Sequence, residues 1–82
     1  MITTQKARQI LLKELDYRKT LAEEEMLNNG DLIAAGAHRD MAKGMIIYAH
    51  RMNVIDFPIR DKLWMWVISL IDPYKMKVKP WG

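Results

Sequence analysis

Few residues in this chain have types and spacings suited to chemistry: two histidines, one serine, a run of three glutamates and a lysine-rich carboxyl end. His38-Arg39-Asp40 has the letters of a protein-kinase catalytic loop. That motif needs an asparagine five residues past the aspartate, where Met45 stands. It also needs a glycine-rich phosphate loop, whereas Gly30, Gly36, Gly44 and Gly82 occur singly. The triplet therefore reads as a helix turn, with a partly buried histidine beside exposed charges.

His38 and His50 are the only histidines. On one helix, at roughly 100° per residue, they point about 120° apart and cannot serve one intrahelical metal. Carboxylate-bridged metal bundles place an acid three residues before each histidine, and Ala35 and Ile47 occupy those places. Ser69, the only serine, lies in an apolar run, and Thr3, Thr4 and Thr20 have no histidine near them in sequence. No catalytic residue, cofactor or metal is assigned, and the chain is expected not to be an enzyme.

Two charged features remain. Glu23-Glu24-Glu25 falls where a first helix should end, and there the helix dipole favours positive side chains. An acidic patch that captures a basic partner is one reading. The plainer one pairs Lys19 with Glu23 and lets Arg18 or Arg39 screen the rest. The other feature is the carboxyl end, where Lys75, Lys77 and Lys79 alternate with apolar residues near Tyr74 and Trp81. Charge interleaved with stacking surface suits nucleic acid, although three lysines give weak attachment unless dimerisation doubles them. Packing of the aromatic residues back onto the helices, or pairing of two such arms across a dimer, accounts for the same pattern.

The 82 residues include 13 Lys+Arg against 10 Asp+Glu, are half hydrophobic and contain no cysteine. A chain of this length builds one core, without disulfides or thiolate metal sites. Its excess charge is uneven: residues 1–28 and 56–71 balance to zero, residues 29–55 carry +1 and residues 72–82 carry +2. The first residues lack the charged-then-apolar order of an export signal, and the longest apolar run, Leu63 to Ile71, is far short of the ~20 residues that cross a bilayer. A cytoplasmic chain with no membrane partner is expected.

The elements follow from punctuation and period. Thr3 or Thr4 starts a helix over about 4–28, whose apolar positions Ala7, Ile10, Leu11, Leu15, Leu21, Ala22 and Met26 recur at threes and fours. Asn28-Asn29-Gly30 turns the chain, and Asp31 caps a second helix over about 32–52 with Ala34, Ala37, His38, Met41, Ala42, Met45, Ala49 and Met52 as its apolar stripe. A short turn makes the two antiparallel, with Ala22 near Ala37 and Leu15 near Met45. Alanines and Gly36 would allow a close approach there. Met41, Met45 and Met52 read as core, or, if exposed, as a groove for a partner helix.

Asp56 and Pro58 open a third helix over about 57–71, and Asp72-Pro73 ends it. Apart from Ser69 its second half has no polar face, so two neighbouring helices cover only part of it. Trp64, Met65, Trp66, Ile68 and Leu70 are therefore the expected interface. The reading is an all-α fold: an antiparallel helical hairpin, a short apolar third helix and an extended basic tail over 72–82, within a single helical domain. Its expected role is a non-catalytic interaction or regulatory module, either a homodimer or docked on a protein through the third helix. A small nucleic-acid-binding protein using Tyr74, Lys75, Lys77, Lys79 and Trp81 is the alternative.

Overall fold

Three side-chain caps divide the chain into its helices. In a computed structural model that describes residues 2–72, α1 spans Thr4–Glu23, α2 spans Leu32–Arg51 and α3 spans Phe57–Ile68. Thr3 Oγ1 accepts the Lys6 amide at 3.1 Å, Asp31 Oδ1 that of Ala34 at 2.9 Å, and Asp56 Oδ1 that of Ile59 at 3.0 Å. Each cap satisfies one amide that the first helical turn leaves without a carbonyl, typically worth about 1 kcal/mol. The fold is all-α as expected, and the helix limits agree with the sequence reading except for the geometry of two ends. The α1 run closes in a π-helical turn over Glu24–Asn28, and α3 tightens into a 3-10 turn over Ser69–Ile71.

The turn between α1 and α2 uses Gly30 at φ 65°, a left-handed conformation that costs glycine little. Asn53 takes the same conformation, φ 60°, where the chain leaves α2; asparagine is one of the few side chains that enter this region readily. From there Val54 leads into α3, and Arg8 Nε and Nη2 both donate to the Val54 carbonyl, at 3.4 and 3.3 Å. That pair of bonds ties the start of α1 to the α2–α3 link.

Two apolar clusters lie along the hairpin. Near the turn, Ala22 and Ala35 are buried against each other with Met26 beside them. Farther along, Leu11 and Leu15 of α1 meet Ala42, Ile46 and Ala49 of α2, and α3 closes this cluster with Leu63, Trp66 and Val67 while Leu70 joins from the 3-10 turn. The inward face of α2 is therefore Ala35, Ala42, Ile46 and Ala49. Ala22 meets Ala35 rather than the expected Ala37, which is exposed. The inward arc is rotated from the expected stripe: Ile46 belongs to it and Met41 and Met52 do not, while Met45 packs at its edge. Neither Gly36 nor Gly44 marks a close approach: a Cβ at Gly36 would meet only the Arg39 guanidinium at 3.8 Å, and one at Gly44 would meet nothing within 4 Å.

Two stability measurements follow. Gly44→Ala should raise the unfolding free energy in urea by about 0.5–1 kcal/mol, since it gains helix propensity without a clash. Leu15→Ala, at a fully buried position, should lower it by about 2–5 kcal/mol.

Candidate functional site

Asp56 caps α3 and Pro58 sits in its first turn, so the helix starts at a fixed point and its phase is set by what it packs on. Leu63, Trp66 and Val67 of α3, and Leu70 just beyond it, turn inward. Phe57, Met65 and Ile68 turn outward, and Trp64 lies at the boundary, half-buried against the core with the Lys43 ammonium 5.6 Å above its ring. The expected interface therefore divides. Met65 is 69% and Ile68 49% exposed, whereas Trp66 is 4% exposed and Leu70 not at all. Trp66 and Leu70 are core residues of the monomer, a correction to their placement on a docking surface. The physical reason is that α3 lies on α2 while the 3-10 turn that follows it also reaches α1, so a wider arc of this segment is buried than one neighbouring helix would cover.

The outer ridge of α3 runs Phe57, Asp61, Trp64, Met65, Ile68, at steps of three and four along one face. Trp64, Met65 and Ile68 adjoin one another on it, with exposed Asp61 and Lys62 at their border and Phe57 beyond Asp61. An apolar strip with a polar border is the usual anatomy of a protein contact.

The acidic run is split by the π-helical turn. Glu23 pairs with Lys19, Oε1 to Nζ 3.2 Å, and Glu25 Oε2 accepts from Asn29 Nδ2 at 3.3 Å. Backbone amides reach the carbonyls at this helix end: Asn29 N–H donates to Glu24 O at 3.2 Å and Asp31 N–H to Glu25 O at 2.7 Å. With those oxygens occupied, three carboxylates at a helix carboxyl end meet less bare negative charge. Of the two arginines expected to screen the run, neither does. Arg18 extends to His38, Nη1 to Nδ1 3.3 Å, with its guanidinium 5.4 Å from the Tyr17 ring centre. Arg39 Nε lies 3.5 Å from Asp40 Oδ1, close enough for attraction but not aligned for a hydrogen bond.

His38, Arg39 and Asp40 thus do not converge on one point. The second histidine lies elsewhere, His50 meeting Phe57 edge-on with ring centres 5.5 Å apart. Ser69 is buried and its hydroxyl donates to the Trp66 carbonyl. Among the described residues no three His, Asp or Glu side chains gather to hold a metal ion, and no helix is long and apolar enough to cross a membrane. Tyr74, Lys75, Lys77, Lys79 and Trp81, the candidate nucleic-acid residues, lie outside the described residues.

A further surface is one that the sequence raised only as the lesser reading of the methionine stripe. Met41 and Met52 are exposed, and Met45 is half-buried. Between α1 and α2, on the side away from α3, Met45 and Met52 border an apolar groove of about 350 Å³ that Ile10, Leu11, Glu14 and Tyr48 also line. The signal was available in the spacing: Ile10, Glu14 and Tyr17 recur at four and three, as do Met41, Met45, Tyr48 and Met52. The chain matches no protein-family model, no curated protein and no solved structure.

The division of α3 predicts opposite outcomes for adjacent substitutions. Trp66→Glu should abolish the cooperative thermal transition, because it buries an unpaired charge. Met65→Glu should leave the helical circular dichroism and midpoint close to those of the wild type, within about 0.5 kcal/mol.

Proposed function

We propose that this chain is a non-catalytic regulatory or adaptor module of the cytoplasm that docks a protein partner through the outer ridge of α3. The observation that carries the reading is the exposure of Met65 and Ile68 side by side, next to half-buried Trp64, on a helix anchored by its opposite face. Because Leu63, Trp66 and Val67 hold α3 in place, the ridge is presented without further ordering, which lowers the entropy cost of association. A ridge with anchors at steps of three and four fits the groove of a partner, or a partner helix laid alongside. The alternative nucleic-acid reading draws on Lys75, Lys77 and Lys79 beyond Asp72, so α3 carries the proposal.

The test is site-specific photo-crosslinking in the native cell, with the reactive residue at position 65 and a control at Gln9, an exposed position on α1. A discrete heteromeric adduct from position 65, absent from position 9 and lost when Ile68→Glu is added, is the expected result. Equal labelling from both positions, or none from position 65, would remove α3 as the docking element.

A further inference from the structure

The hairpin face opposite α3 exposes Ile10 (43%), Tyr48 (67%) and Met52 (58%) at the apolar groove, and Tyr17 (54%) and Met41 (50%) farther along the same two helices toward the turn. We propose that this face packs on the same face of a second copy of the chain, closing an antiparallel four-helix bundle with one α3 on each outer side. The inference concerns a different surface from the α3 ridge and does not rest on what that ridge docks.

The register of the hairpin makes the face self-complementary. Ala22 and Ala35 pack together, and both arms rise about 1.5 Å per residue. Counting equal steps away from that contact brings Leu15 level with Ala42, and Asp16 level with Met41. A two-fold axis that crosses both helices at this level lays α1 against α1 and α2 against α2, each pair antiparallel. On α2 it sets Met41 against Met41, Ala37 against Met45 and Ala34 against Tyr48 of the second copy. The bulky end of one stripe therefore meets the small end of the other, which is what interdigitated packing requires. A face with bulky residues at both ends would not accept itself in this way.

The same axis arranges the charges. Glu14 is an exposed carboxylate at the groove wall, and no ion pair joins it to Arg18 one turn away, whose Nη1 reaches His38 instead. Across the axis each Glu14 lies level with Arg18 of the second copy, so one sequence pair becomes two intermolecular pairs. The amino-terminal turn with Lys6 falls beside the Glu24–Glu25 end of the other α1. Isologous contacts of this kind repeat every favourable pair twice.

The exposed area approaches what a stable dimer uses. Five side chains of roughly 200 Å² each, about half exposed, offer about 500 Å² of mostly apolar surface. The half-buried Leu21, Ala34 and Met45 and the stems of Lys6 and Lys13 widen the patch toward the ~800 Å² per partner of a standard stable interface. The cation–π contact of Lys43 with Trp64 and the ring contact of His50 with Phe57 hold α3 on the other side of the hairpin, so it does not obstruct the approach. The assembled dimer would present two α3 ridges, making it a bivalent adaptor.

Light scattering on a size-exclusion column at about 100 µM tests the proposal, with each chain contributing 9.6 kDa. The wild type and Met65→Glu should elute at twice that mass. Met41→Glu and Tyr48→Glu should elute as monomers with unchanged helical circular dichroism, their dimer dissociation constant raised about 100-fold or more. Since the chain has no cysteine, Met41→Cys provides a readout independent of those mutants: placed at the axis it should form a disulfide-linked dimer on mild oxidation, while Met65→Cys and Gln9→Cys should not. A monomeric wild type, a dimer lost only with Met65→Glu, or crosslinking through position 65 instead of 41 would each overturn it.

Discussion

The seam between α1 and α2 sets the position of everything else. At its closed end only methyl groups separate the two backbones, with Ala22 and Ala35 both fully buried. Farther from the turn the side chains grow, Leu11 and Leu15 on one arm and Ile46 on the other, with Ala42 and Ala49 between them. The seam widens there on one side, and Trp66, Val67 and Leu70 fill the opening. A pair of helices joined by alanines buries little apolar area, so the hairpin by itself gains little from the hydrophobic effect. The third helix and the turn that follows it add Leu63, Trp66, Val67 and Leu70 to that core, and their phase is set by the surface the hairpin presents.

Between the two clusters the seam is polar. Arg18 reaches across to His38, with the Tyr17 ring near its guanidinium. A guanidinium is weakly hydrated and stacks readily on aromatic faces, which makes it the least costly cation to hold at such a place. A guanidinium only donates, so His38 Nδ1 is the acceptor in this contact.

With three helices and a small core, the chain cannot bury all of its apolar residues. A small domain always leaves a large share of its surface in water, and single exposed apolar side chains need no special account. Ile2, Leu27, Leu32 and Ile33 are of that kind, but most of the others form two sets. One set follows the outer ridge of α3 and another follows the opposite face of the hairpin, both at helical spacing and both held on elements whose other faces are anchored in the core. Rigid, contiguous apolar strips of this kind are what association uses, because little conformational freedom remains to be lost.

The element order, the caps at Asp31 and Asp56, the turn at Gly30 and the nearly exact helix limits were all legible in the sequence. They depend on residues within a few positions of each other: a carboxylate three residues before the amide it caps, a glycine where φ is positive, an apolar period of three to four. Which arc of each helix faces inward was not legible. Ala34, Ala35 and Ala37 look alike as letters, and from Leu63 to Ile71 nearly every residue is apolar, so the pattern carries little phase. The Ala22–Ala35 contact and the packing of α3 and its closing 3-10 turn on the hairpin decided it, turning Trp66 and Leu70 into core and leaving Met65, Ile68 and the α2 methionines Met41 and Met52 outside. Local rules read neighbours along the chain, while the phase of a nearly uniform helix is set by which distant surface it packs against.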